Sequence, residues 1–286
     1  MRKILMGLAL FVATAAVAAQ APDKTNGAIE ASMLVTGTID VEPDGSVSGH
    51  VLDKADALPA VVTAMLGEQI PKWRFEPVIV DGQAVPARVP ASIRLVAREV
   101  ENDRFAVHIG GAHFTAAHRG SAHGEYPIAQ RTDRRAPAYP PDLLRAGAGA
   151  TVYLLLKVGP DGKVEDQIAE QVNLTVVARE RQMAQMRNAF ARASLTAART
   201  WTFPRPDGVE IDADGSWSVR VPVDFVVVGQ EAAYGEWQAY VPGPRQANPW
   251  SDEDDGVSPE TLAANGTYPV GLDGPKLLTP LQAGEG

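Results

Sequence analysis

The sequence predicts an α+β fold of two small modules, each with the order strand-strand-helix-strand. In each module an antiparallel sheet would carry one helix packed on one face. Three features occur twice in the same order and lead to this prediction. They are a Pro-Asp-Gly turn (43–45 and 160–162), a Trp-x-Phe triplet (73–75 and 201–203) and a Val-Pro pair (89–90 and 221–222). One such feature could arise by chance, whereas the repeated order indicates an internal duplication.

The first two strands of each module are predicted to form a hairpin. The segments 37–52 and 151–168 each place Pro-Asp-Gly between two runs that are typical of strands. Proline fixes φ for an early turn position, and glycine supplies the positive φ that a later position requires. A tight turn between antiparallel strands therefore follows in both copies.

A helix and an aromatic triplet come next in each copy. Apolar residues recur at helical spacing over 58–70, and a second helical stretch covers 190–199. These stretches lead to Trp73 and Phe75 in the first copy and to Trp201 and Phe203 in the second. We expect these four aromatic residues to be structural, closing the core between the helix and the last strand.

The last strand of the second copy is predicted to lie at a sheet edge, because proline interrupts an otherwise regular strand pattern. One face would carry alternating apolar residues from Val219 to Val227. The alternate positions, on the other face, are our candidates for partner binding: Ser218, Arg220, Pro222, Asp224 and Val226. Three interpretations stay open for this strand: binding of a partner peptide, a merely protected edge, and pairing between the two modules.

The N-terminus indicates export. Arg2 and Lys3 precede an uncharged run from Ile4, which ends in the small residues Ala18 and Ala19. This is the pattern of a secretory signal peptide, here residues 1–19, and it predicts a periplasmic protein. The alternative is an uncleaved segment that anchors the protein in the inner membrane.

Composition excludes several classes of function. The net charge of −9 disfavours nucleic acid as a partner, and a cleaved signal would leave no stable membrane insertion. The chain has no cysteine, which rules out thiol catalysis, zinc–thiolate sites and disulfide-stapled miniproteins. Motifs of nucleophilic or metal-dependent enzymes are not found, so we expect no enzyme, no catalytic residue, no cofactor and no metal.

The order of these motifs resembles the C-terminal domain of TonB-type energy transducers. Segment 136–228 carries the matching residues, beginning with Tyr139 and Pro140 before a short helix and continuing through 149–164, 197–204 and 219–225. A degenerate second copy of the same module covers 33–98. The resemblance implies that a segment of an envelope protein, for example an outer-membrane receptor, pairs with an edge strand. The main alternative is an envelope scaffold or assembly factor without a role in energy transduction, and a weaker one is an enzyme of unknown type.

Two remaining segments complete the predicted organisation. Residues 99–135 would be a solvated connector with a possible strand at 104–109. Its histidines recur every five residues, a spacing that matches neither a helix face nor a strand face; they are His108, His113, His118 and His123. Residues 229–286 are rich in glycine, proline and acid and predict a low-order tail. The aromatic residues Trp237, Tyr240, Trp250 and Tyr268 are unusual there. Three interpretations stay open: they pin the tail across the modules, they bind a partner, or they are loosely exposed.

Overall fold

Two antiparallel sheets, each with one long helix on one face, form the α+β fold of the computed structural model. The structure describes residues 30–101, 104–115, 134–251, 255–264, 266–272 and 274–281. The predicted signal peptide at 1–19 and the middle of the connector lie outside this range. Across the described ranges, no helix is both long and apolar enough to cross a bilayer.

The elements follow the predicted order in both modules, with additions. The helices are α1 (Ala60–Gln69), α2 (Pro141–Arg145) and α3 (Glu180–Ala198), and short 3-10 turns lie at Ala55–Ala57, Ile70–Lys72 and Pro259–Thr261. The strands are β1 (Glu30–Val41), β2 (Val47–Leu52), β3 (Ile79–Val80), β4 (Gln83–Ala84), β5 (Ala87–Glu101), β6 (Arg104–Phe114), β7 (Ala150–Val158), β8 (Val164–Leu174), β9 (Trp217–Phe225), β10 (Gln238–Tyr240) and β11 (Tyr268–Pro269).

The first sheet has the order β10-β1-β5-β6. β10 and β2 pair with the same edge of β1, β10 with the start of the strand and β2 with its end. The second sheet has the order β11-β9-β7-β8. All strand pairs in both sheets are antiparallel. The two sheets share the arrangement in which the last strand of a module lies beside its first strand.

Equivalent turns reveal the duplication in three dimensions. Gly45 and Gly162 both have a φ of 80° at the end of their hairpin turns. The backbone N–H of Phe75 donates to the carbonyl of Gly45, and that of Phe203 donates to the carbonyl of Gly162, both at 2.8 Å. Each Trp-x-Phe triplet is thereby bonded to the turn of its own module, which explains why the two motifs recur together.

Helices α1 and α3 each pack their apolar residues on the sheet of their own module. In α1 the residues Val62 and Leu66 are fully buried, and the spacing continues to Ile70. In α3 the fully buried residues include Phe190 and Ala198, which lie on one helical face. The resulting cores are separate clusters, one for each module.

Helix α3 is longer than the sequence predicts. The pattern indicates a helix over 190–199, whereas α3 begins at Glu180. Gln182 donates its backbone N–H to the carbonyl of Arg179 at 2.8 Å, and its side-chain oxygen accepts from the N–H of Arg179 at 3.3 Å. Met183 is 2% exposed and anchors this first part on the core. Polar residues around Met183 interrupt the apolar periodicity, which is why the sequence pattern misses almost three turns at the start of α3.

The sheet faces without helices are bridged by part of the C-terminal segment. We call Ser258–Leu262 the wedge, because it bonds to both sheets. From the first sheet, the hydroxyl of Ser92 donates to the carbonyl of Thr261, and Nε of Arg94 donates to the carbonyl of Glu260 at 2.8 Å. From the second sheet, the side-chain amides of Gln171 and Asn173 donate to the carboxylate of Glu260. The modules are therefore joined through buried polar contacts.

The sequence predicts a low-order tail at 229–286, whereas several of its described segments pair with the two modules. Tyr240 in β10 pairs with Glu30, and the next residue, Val241, exchanges two backbone bonds with Leu174 at 2.9 and 3.0 Å. Farther along, β11 pairs with β9 and Leu277 forms a bridge to Phe75. Backbone pairing with the module strands orders the tail, although the tail has no apolar periodicity of its own. The tail is thus pinned across both modules, which is one of the three interpretations left open for its aromatic residues.

Candidate functional site

Strand β9 carries most of the predicted partner-binding residues. Ser218, Arg220, Pro222 and Asp224 lie on it, and Val226 follows its last residue. The strand pairs along its whole length with β7 on its inner side. On its outer side, Tyr268 pairs with Arg220 and Pro269 with Val219. The predicted position at the sheet edge is therefore wrong at this end of β9, because a segment of the tail pairs with it.

In β9 the backbone N–H and C=O groups of every second residue point to that outer side. The N–H of Val270 donates to the carbonyl of Ser218 at 2.9 Å. Because backbone groups alternate in direction along a strand, the backbone groups of Arg220, Pro222 and Asp224 also point to this outer side. Pro222 has no N–H to offer, and it lies just beyond the stretch that β11 covers. The missing donor at Pro222 leaves the inner ladder with β7 intact.

Arg220 is a buried ion-pairing residue. Its side chain is 5% exposed, and Nε lies 2.7 Å from the carboxylate of Glu170, which is 1% exposed. The guanidinium also bonds to Asp255, and Arg245 approaches Glu170 at 2.9 Å. Burial disfavours the charged guanidinium, but the bonds to Glu170 and Asp255 outweigh it and raise the pKa of Arg220. This network fastens the tail to β8 and β9.

His113 of the first module reaches the same region. Its ring meets the ring of Tyr268 edge to face at a centroid distance of 5.5 Å. His113 is 5% exposed, and burial, followed by the positive charge of Arg220, lowers its pKa to about 4. The negative charge of Asp255 acts in the opposite direction. A neutral imidazole therefore lies between the two modules at neutral pH.

Asp224 lines an open cavity of about 400 Å³ between the two sheets, together with Arg94 and Tyr153. Its carboxylate accepts a hydrogen bond from the hydroxyl of Thr151 at 2.7 Å. Although Asp224 is exposed to this cavity, protein atoms surround it, and burial raises its pKa. The bond from Thr151 and the charge of Arg94 oppose that rise. The opposite charges on the two walls could hold a polar group between them.

The strand ends in an exposed apolar stretch. Val226 is 44% exposed and Val228 is 90% exposed, whereas Phe225 is buried under the sheet's helix. Exposed valines at the end of a strand are suited to contact a further strand. This end of β9 is the part that the tail leaves accessible.

Tyr139 and Pro140, the residues at which the resemblance begins, have structural contacts. The hydroxyl of Tyr139 donates to the carbonyl of Ala148 at 2.7 Å, and its ring packs on Phe190 and Phe225. Pro140 directly precedes α2. Tyr139 and Pro140 therefore hold the entry of the second module against its core.

The two aromatic pairs occupy equivalent places. Trp73 and Phe75 lie 6.4 Å apart in the core of the first module, and Trp201 and Phe203 lie 6.5 Å apart in the second. Both pairs have an interplanar angle of 73°, and all four residues are at most 3% exposed. They contribute to packing and do not line the edge of β9.

The described part of the connector is a strand and not a solvated loop. β6 extends the strand suggested at 104–109 to Phe114 and pairs with β5. His108 and His113 lie on it, whereas His118 and His123 are outside the described residues. Among the residues that the structure describes, no three potential ligands form a metal cluster. The absence of a metal or cofactor stays a prediction.

Several residues of this region escape sequence reasoning. Glu170, Asp255 and Tyr268 lie 50, 35 and 48 positions from Arg220, their common neighbour on β9, and no motif links them to it. Glu170 is one of several polar residues of β8, so nothing in the local pattern singles it out.

Comparison with known proteins yields no identification: no family model, no curated protein and no solved structure matches this chain. The interpretation of the site therefore rests on its own geometry and on the order of its motifs.

Proposed function

We propose that this protein is a periplasmic protein-interaction module that binds an extended segment of an envelope protein by pairing with the outer edge of β9. The role would resemble that of the TonB C-terminal domain, and the partner could belong to TonB-dependent transport. The observation that carries the proposal is the pairing of Tyr268–Pro269 with Val219–Arg220. An extended segment fits this edge in an antiparallel register, as strand addition requires.

The surroundings of the edge support the same function. The backbone groups of Asp224 point to the same outer side as those of Ser218 and Arg220, and they lie beyond the stretch that pairs with β11. Val226 and Val228 offer exposed apolar side chains at the end of this line. A partner strand would obtain affinity from the backbone bonds and specificity from the side-chain contacts.

Site-directed photo-cross-linking tests the proposal. A photoreactive amino acid at Val226 should form a cross-link to one specific envelope protein in intact cells. The same amino acid at Val61, which is 63% exposed on α1, is the matched control and should not capture that protein. The cross-linked segment, made as a synthetic peptide, should bind the purified protein and protect the amides of β9 from exchange. Capture of the same proteins at both positions, or of none at Val226, would contradict the proposed function.

A second candidate function is that of an envelope scaffold or assembly factor. This candidate is favoured because another strand of the same chain pairs with the last strand of each module. β6 pairs with β5 over Ala91–Glu101, and β11 pairs with β9. A scaffold would use the joined modules as one rigid body. It would form stable complexes without the Val226 cross-link, which separates the two functions.

Export forms part of the proposal. We propose that the signal peptide at 1–19 is removed and that the protein acts free in the periplasm. N-terminal sequencing of the native protein should begin at Gln20. A start at Met1 together with recovery in the membrane fraction would instead indicate an inner-membrane anchor.

A further inference from the structure

We infer that the tail segment Gly266–Gly271 is an intramolecular substitute for the partner, and that binding at the β9 edge requires its displacement. This inference rests on the proposed function. It also specifies the partner: an extended segment with an aromatic residue opposite Arg220. The segment Gly266–Gly271 is called the plug below.

The plug is held by few contacts along its backbone. β11 contains only Tyr268 and Pro269, and one further backbone bond joins Val270 to Ser218 at 2.9 Å. Strands of this length are short compared with the usual five or six residues. A longer partner strand could replace these bonds and continue past Pro222 to the exposed end of β9.

Tyr268 is the one residue of the plug that is buried. Directly opposed residues in an antiparallel pair place their side chains on the same face, so Tyr268 shares the face of Arg220 between the modules. It is 7% exposed, its ring packs on His113, and its hydroxyl donates to the carbonyl of Ala263 at 3.1 Å. Whatever replaces the plug must fill this space, which favours an aromatic side chain at the same register position.

Glycines bound the plug on both sides. Gly271 has a φ of 81°, and Gly266 lies under the ring of Tyr268, where a Cβ would come within 2.3 Å of that ring. The wedge precedes the plug, and Leu277 follows it with a bridge to Phe75. The plug can therefore detach between two anchored segments, which makes it a tethered competitor at high effective concentration.

The test uses two opened forms and one locked form of the full chain. Val270→Pro removes the N–H that donates to Ser218, and Tyr268→Ala removes the ring from its site. In the locked form, Ser218→Cys and Val270→Cys are joined by a disulfide. These two residues are a hydrogen-bonded pair, whose Cα atoms lie about 5.5 Å apart in antiparallel sheets, within the range for a disulfide. The chain has no other cysteine, so the oxidised product is unambiguous.

The probe is a fluorescent synthetic peptide of residues 262–274, and its binding is measured by fluorescence anisotropy. We expect both opened forms to bind it at least about tenfold more tightly than the unmodified protein, whose edge is occupied for most of the time. The oxidised locked form should not bind, and reduction should restore the affinity of the unmodified protein. A peptide with alanine in place of the tyrosine should bind at least about tenfold more weakly.

Equal binding to the opened and locked forms would overturn the inference, and so would a lack of binding to both opened forms. Circular dichroism verifies that each variant is folded before it is compared. A partner cross-linked at Val226 would preserve the proposed function even if the plug proved to be no competitor. Peptide binding to the opened forms without any cellular partner would instead count against the proposed function alone.

Discussion

At the scale of single residues, Arg88 and Arg220 occupy the same position of the two modules, two residues before the proline of the Val-Pro pair. Arg88 bonds to Asp40 at 2.7 Å, and its side chain is 55% exposed. Arg220 bonds to Glu170 at the same distance but is 5% exposed. The duplication thus places one type of charge in two environments, and their energetic consequences differ.

We expect Arg220→Met to lower the free energy of unfolding by about 3 kcal/mol, because it leaves Glu170 buried with a single remaining cation. Arg88→Met is the matched control and should leave the unfolding midpoint within experimental error, because water screens an exposed ion pair. Urea unfolding followed by tryptophan fluorescence measures both changes. Equal effects of the two substitutions would contradict the assigned burial.

His113 makes stability depend on pH. Its pKa is lowered to about 4 in the folded protein, compared with 6.5 in an unfolded chain, so the unfolded state binds the proton more readily. The stabilisation is complete above about pH 6.5 and is lost as the pH falls toward 4. From about pH 7.5 to about pH 5 we expect His113 to account for a loss of about 2 kcal/mol.

Urea unfolding at several pH values tests this prediction. Variant His113→Gln should show a flatter dependence in this range, whereas His108→Gln should keep most of the original dependence, because His108 is only partly buried. The charged groups acting on the imidazole are Arg220 of β9 and Asp255 of the tail. A His113→Gln variant with an unchanged pH dependence would refute the buried neutral state.

At the scale of elements, the hairpin turns and aromatic triplets act as pairs. A Cβ on Gly162 would approach the carbonyl oxygen of Phe203 to 2.6 Å, and one on Gly45 would approach that of Phe75 to 2.0 Å. Gly82 has the same φ of 80°, but no atom lies within 4 Å of its Cβ position. The glycines of the hairpin turns are therefore required by close approach as well as by φ.

Gly162→Ala should lower the free energy of unfolding by about 3 kcal/mol, because it adds a backbone clash to the strain of a positive φ. Gly82→Ala carries the strain alone and should cost about 1 kcal/mol. Thermal unfolding followed by circular dichroism compares the two variants. Similar costs would mean that the turn can move away from the aromatic triplet.

Sequence reasoning succeeds at the element scale where the pattern is local. The Pro-Asp-Gly turns and the Val-Pro strands depend on neighbouring residues, and the order of strands and helix follows from them. Helix α3 is predicted only in part, because Met183 stands among charged and polar residues. The plug is not predicted, since nothing near Tyr268 indicates that its strand partner is Arg220.

At the scale of the whole molecule, the tail converts two modules into one structure. The wedge bonds to Ser92 and Arg94 on one sheet and to Gln171 and Asn173 on the other. Thr261 is 1% exposed, and Leu262 is 2% exposed. Polar strand residues that alternation would assign to solvent are thereby buried.

This arrangement predicts cooperative unfolding that depends on the tail. A chain that ends at Val257 lacks the wedge, the plug and the bridge of Leu277, and it keeps β10 as a link between the sheets. We expect its unfolding temperature to fall and its single calorimetric transition to split into two, because each module retains its own core. A chain that ends at Leu281 is the control and should unfold like the full protein. A single transition at an unchanged temperature in the shorter chain would show that the modules are coupled without the wedge, through β10 or through direct contact of the sheets.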